Sequence, residues 1–206
     1  MKFSTLFKIE KNLQLDKRTL VTLRWIAIIG QLIAVNIVYY VLKLDFPVIE
    51  SHVIILIGVI TNFYLQFRIK EIQIKDLISF KFLTYDLFQL SILLYFTGGI
   101  SNPFSILLII PAIVSSTLLN NLTTTLLSIL TLICLFLLTI FHYPLPGIHE
   151  NEFTFPAYYL FGFFISIIIG LVFLSYFGIR FSGESKKRSE AVTKLEQIIA
   201  KEYELE

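Results

Sequence analysis

Six long apolar runs divide this 206-residue chain and leave it few ways to fold. A helix that crosses a bilayer needs roughly 20 mainly apolar residues. Runs at about 25–42, 48–67, 82–97, 103–119, 122–141 and 155–179 meet that need. The third and fourth are short, so they should stand steeply or thin the bilayer slightly. The sequence is 56% hydrophobic and only 16% charged, where soluble domains carry about 25% charged residues. It therefore predicts an all-α polytopic membrane protein with six transmembrane helices and a C-terminal cytoplasmic helix. Three parts follow: an N-terminal cytoplasmic segment (1–24), a six-helix membrane domain (25–179) and a cytoplasmic helical linker (180–206). The polar, basic start lacks the apolar core and small-residue cleavage site of a signal peptide.

Charge distribution gives the expected orientation. Lys2, Lys8, Lys11, Lys17, Arg18 and Arg24 precede the first run. Arg68, Lys70, Lys75 and Lys81 follow the second, and Arg180, Lys186, Lys187, Arg188, Lys194 and Lys201 follow the sixth. Only Lys43 falls on the other side. By the positive-inside rule both termini are cytoplasmic, in a bacterial inner membrane, and the short loops 43–47, 98–102 and 142–154 face outward. The longest of these outer loops is too small to fold as a separate domain. Nothing points to nucleic acid, and no Cys/His cluster has metal-ligand spacing. The single cysteine, Cys134, lies inside a run and reads as a small buried hydrophobe.

Polar groups inside spans are costly and each needs a role. Asp86 is the one acidic residue clearly within a run. From a span start at Phe82 it lies about 6 Å deep, with Gln89 on the same helix face. These two and Gln31 are candidate intramembrane polar contacts. They serve either a proton relay or ligand, or, in the preferred reading, interhelix hydrogen bonds. Asn36 and Asn62 read as packing amides. Gly30 and Ala34 would let another helix approach closely. Asp86 is twelve residues from Gly98, roughly 18 Å of helix. It is therefore not expected to touch what the outer turn binds.

That turn, "GGISNPF", carries two readings. Gly98 or Gly99 can end the third span in a left-handed conformation. Asn102 is a good N-cap, and Pro103 suits the first helical position. This much needs no ligand. The first-turn N–H groups around Phe104 to Ile106 would still lack partners at membrane depth, and a quinone carbonyl is a suitable acceptor. Phe104 offers a stacking face and Tyr95 a hydroxyl. Pro111 should kink the fourth span.

Beyond the sixth span the chain turns abruptly hydrophilic. Ala191, Leu195, Ile198 and Leu205 trace about two heptads of a coiled-coil-like seam, broken by Glu202. The pattern is unfinished at Glu206, which suggests a fragment or a split gene.

The heptapeptide resembles the GGxxNPF motif of the RegB/PrrB/ActS family of redox-sensing histidine kinases. "TLVTLRWIAIIGQLIAV" (19–35) is similar to that family's first span, and "YDLFQLSILLYFTGGISNPF" (85–104) to its third span and turn. The resemblance implies a membrane sensor that binds ubiquinone near the heptapeptide, with Gly98, Gly99, Asn102, Pro103 and Phe104 as site candidates and Tyr95 beside them. It also implies a homodimer that signals through the last helix to an ATP-dependent kinase core, and through that core to a response regulator. No histidine box or ATP-binding box follows the linker, and the family's cytoplasmic redox cysteine is absent. Kinase activity is therefore not expected of this chain. The alternative is a small six-span transporter, although no internal repeat supports it.

Overall fold

The computed structural model describes residues 15–146 and, beyond them, 163–165, 167–168, 170–172, 174–176, 178–179, 183 and 190–199. Helix α1 (Lys17–Asn36) begins where the Asp16 side chain accepts a hydrogen bond from the backbone N–H of Arg18. It continues through one π-helical turn, Ile37–Val41. Helix α2 (Val48–Arg68) ends at its extended C-cap, Ile69. There the Lys17 ammonium reaches the Ile69 carbonyl at 2.8 Å, as cations commonly do at helix C-termini. A two-residue antiparallel ladder, β1 (Leu15–Asp16) with β2 (Gln73–Ile74), ties the start of α1 to the loop after α2.

Helix α3 (Asp76–Phe96) has 21 residues. It starts six residues earlier than the apolar run suggests, because Asp76 suits a helix N-terminus and Lys81 stays exposed. The third span is therefore not short, and Asp86 is its middle residue rather than a group near one end. Likewise α1 begins at Lys17, so Lys17, Arg18 and Arg24 belong to the helix and not to a segment before it.

The fourth segment opens as a seven-residue 3₁₀ helix, Pro103–Ile109, and becomes α4 (Ile110–Leu118). Pro111 sits just past that change of helix type, where sequence reasoning expects a kink. Helix α5 (Asn121–Ile140) is capped by Asn120, whose Oδ1 accepts from the Thr123 N–H at 2.7 Å and whose amide donates to Asp76 at 2.7 Å. A further apolar helix, α6, runs over Phe163–Tyr176. The predicted start of the sixth span at residue 155, most of the loop 142–154, and Lys186, Lys187, Arg188, Lys201 and Leu205 lie outside the described residues.

Among the described residues the architecture is all-helical apart from the β1–β2 ladder. Four helices are long and apolar enough to cross a membrane, and the 103–118 and 163–176 segments are shorter. Helix α3 packs against α2, α4 and α5, and α1 rests chiefly on α2. Buried Leu20, Leu65, Ile74, Leu83, Leu127 and Leu171 fill the end that carries the basic loop. Leu87, Leu94, Leu108, Leu135 and Ile167 fill the other half, with Cys134 among them as a buried free thiol. Ile26, Ile29, Ile33, Ile57 and Ile60 point outward, as side chains facing lipid do. Residues 190–199 are helical, with Leu195 and Ile198 exposed.

Candidate functional site

A cavity of about 620 Å³ separates α1 from α3 and the fourth segment. Its walls are apolar: Ala27, Val35, Leu90, Leu94, Leu107 and Val114 among others. Polar groups meet it at two places. Near one end stand Arg24, Gln31, Asp86 and Gln89, and near the other Thr97 and Asn102, with Pro103 and Phe104 beside them. Asp86 and the turn stay apart along α3, and one cavity reaches both.

Gly30 and Ala34 also line this cavity. A Cβ built on Gly30 would meet nothing within 4 Å. Among the described residues no neighbouring helix comes close to Gly30, and a hollow lies beside it.

The polar end is a ladder of two rungs. Arg24 Nε donates to Asp86 Oδ1 at 2.9 Å, and a second guanidinium nitrogen donates to Thr61 Oγ1 at 2.8 Å. The guanidinium also lies over the rings of Phe82 and Tyr85, 5.1 and 5.5 Å from their centroids. Arg24 is 4% exposed, so its charge depends on these partners. Its Nη1 is enclosed with no hydrogen-bond partner among the described residues. One turn on, Gln89 Nε2 donates to Gln31 Oε1 at 3.1 Å. Gly58 on α2 makes room for this rung, because a Cβ there would stand 2.6 Å from the Gln89 amide. The spacing explains the arrangement: Arg24 and Gln31 are seven residues apart on α1, and Asp86 and Gln89 three apart on α3.

The preferred sequence reading of Asp86, Gln89 and Gln31 as interhelix hydrogen bonds therefore describes this geometry. Sequence reasoning missed Arg24, counted as a loop cation. The signal was available: an acidic residue inside a span needs a partner, and Arg24 directly precedes Trp25 in the first apolar run.

The turn end is built differently. Gly98 and Gly99 both take positive φ, +108° and +56°. A Cβ on Gly98 would meet Leu145 Cδ1 at 2.5 Å, and one on Gly99 the Leu138 carbonyl at 2.5 Å. These glycines let the turn fit under residues 138–145, and neither lines the cavity. Tyr95 is also outside the lining. Its ring packs edge-on against Tyr143, whose N–H donates to the Tyr95 carbonyl at 2.8 Å. Asn102 caps: Oδ1 accepts from the Phe104 N–H at 2.9 Å, and Nδ2 donates to Thr97 O and Oγ1 at 2.9 and 2.8 Å. The Ser105 N–H donates to the Asn102 carbonyl at 2.9 Å. The expected spare N–H groups at Phe104 and Ser105 are thus already taken, the first by the Asn102 cap and the second because the segment begins as a 3₁₀ helix that closes its bonds one residue sooner. Of the six candidates at the turn, Asn102, Pro103 and Phe104 reach the cavity, and of these three Pro103 and Phe104 are exposed while Asn102 is buried.

Taken together, the chain is an all-helical membrane domain with a lipid-accessible apolar cavity and a buried charge pair on its wall. It belongs to the family of PilS-like transmembrane domains, whose six-span family model matches residues 40–193. It is also 31% identical over 194 residues to the sensor histidine kinase RegB of Cereibacter sphaeroides, a match covering 91% of this chain and 41% of that relative. The resemblance to RegB-type sensor membrane domains is therefore borne out. This chain spans well under half the length of that relative. No solved structure matches.

Proposed function

We propose that this chain is the sensing half of a two-component histidine kinase and that its cavity takes a quinone. One observation carries the reading: the cavity, whose wall includes Asn102, Pro103 and Phe104 of the family-like heptapeptide, lies inside a membrane domain whose spans are joined by short loops. Its volume falls within the range of about 300–1,000 Å³ usual for small-ligand sites, and its few convergent polar groups suit a flat lipophilic molecule. Gly98, Gly99 and Tyr95 shape and seal the turn, while Phe104 presents its ring. The basic end, where Lys17, Arg68, Lys70 and Lys75 gather, faces the cytoplasm of an inner membrane. The exposed Leu195 and Ile198 pair with a second copy, so that the last helix relays the cavity's state to a dimeric kinase core and a response regulator. Signalling requires that quinone bind two states of the dimer with different affinity.

Quinone titration of the purified chain, followed by quenching of its single tryptophan, Trp25, tests the ligand. Saturable binding is expected in the parent and weaker binding in Gly30→Leu, which fills the cavity. Equal affinity in both would remove the cavity from consideration. Cysteines placed at Leu195 should give disulfide dimers in membranes, and monomers alone would refute the seam.

A further inference from the structure

We infer that the ligand's polar head docks at the Arg24–Asp86/Gln31–Gln89 ladder and not at the heptapeptide turn, with a different residue receiving each redox form. This inference rests on the quinone reading. In an apolar cavity a ligand oxygen loses its water and must find a partner on the wall. At the turn the obvious partners are used. Both Asn102 amide hydrogens go to Thr97, and Oδ1 takes the Phe104 N–H. At the ladder they are not. Asp86 Oδ1 receives Arg24, while Oδ2 has no partner among the described residues and the side chain remains 24% exposed on the cavity wall. Gln31 spends its carbonyl oxygen on Gln89, leaving its NH₂ group without a partner among the described residues.

Among the described residues the ladder thus offers open acceptors on α3, Asp86 Oδ2 and Gln89 Oε1, and on α1 the open Gln31 NH₂ group, Arg24 Nη1 being enclosed. A quinone carbonyl only accepts, so it pairs with the Gln31 amide. A quinol hydroxyl can donate, so it pairs with the carboxylate of Asp86, which accepts only while paired with Arg24. Reduction would then transfer the head's hydrogen bond from α1 to α3 across the face where the two helices are held apart. From Asp86 to Thr97 the wall runs eleven residues, about 16 Å of helix, too far for one ring to touch both ends. The tail is left to lie along Leu107 and Phe104.

The test uses short-chain ubiquinone-1 and ubiquinol-1 with the full chain in nanodiscs, binding being read by calorimetry and by ligand-induced thermal shift. Gln31→Leu should weaken ubiquinone-1 about 3–10-fold, the usual effect of one neutral hydrogen bond, and leave ubiquinol-1 within about twofold. Phe104→Ala should leave both within about twofold. Asp86→Asn should weaken ubiquinol-1, since the amide can turn its oxygen to Arg24 and present a donor to the cavity. If Gln31→Leu does not fold, Gln31→Met, of similar length, replaces it. The reverse pattern, with ubiquinone-1 lost in Phe104→Ala and kept in the Gln31 variant, would overturn the ladder site and leave the quinone reading standing. If the parent binds neither form saturably, the quinone reading fails and the ladder proposal falls with it.

Discussion

The two polar ends of the cavity are made from similar chemistry and spend it differently. At the turn, every hydrogen bond found for Asn102 goes to its own neighbourhood, within five residues along the chain. At the ladder, Arg24, Asp86, Gln31 and Gln89 bond across 58 to 62 residues of sequence and keep groups in reserve. A local motif closes on itself because its partners are always near. A long-range one is completed only when two helices meet, and it can be left partly open toward whatever lies between them. The more conspicuous motif is therefore not automatically the better ligand site.

The largest effect should come from breaking the ladder's charge pair. Arg24→Leu leaves the Asp86 carboxylate without its cation and should cost about 3–5 kcal/mol, seen as a large drop in thermal unfolding midpoint in detergent. The double variant Arg24→Leu/Asp86→Leu should recover most of it. A double variant as unstable as the single one would show that the pair is not the cause. Next comes the turn's backbone. Gly99→Ala adds a Cβ at φ +56° against a carbonyl oxygen 2.5 Å away, for about 2 kcal/mol or more. Asn102→Ala should follow at about 1–2 kcal/mol in the absence of any ligand. An unchanged midpoint there would mean that the asparagine is spare and free to hold one. Smallest, and opposite in sign, is Gly30→Ala, which gains helix propensity of up to about 1 kcal/mol with no steric conflict. A loss instead would show that α1 closes on α3 in the membrane.

Helix content and the six-span family were legible because apolar length is a local property, and so was the turn, where each cap and glycine does what its type does in most proteins. Asn102 and Pro103 stand where helix-start chemistry puts them. What the sequence hid was pairing. Arg24 reads as one more basic residue in a run of six until α1 is seen to begin at Lys17, which turns it inward. Asp86 reads as shallow until α3 is seen to begin at Asp76. Gly30 and Ala34 read as a contact because small residues permit close approach, whereas among the described residues the space beside Gly30 is unfilled. In each case the missing information was the neighbour across the gap, which one strand of sequence does not contain.

The 3₁₀ start of the fourth segment has a consequence for reach. Sixteen residues, 103–118, wound wholly as α-helix would rise about 24 Å, short of a hydrocarbon core of about 30 Å. A 3₁₀ helix is thinner and climbs about 2.0 Å per residue. With seven residues wound that way, the segment rises about 28 Å, nearly the full depth. Three of those seven residues, Pro103, Phe104 and Leu107, line the cavity. Were the seven to rewind as α-helix, each N–H would exchange its i−3 carbonyl for the i−4 one and the segment would shorten by roughly 3–4 Å. Spectroscopic distances between labels at either end of this segment, taken with and without quinone, would show whether the cavity's contents set that length.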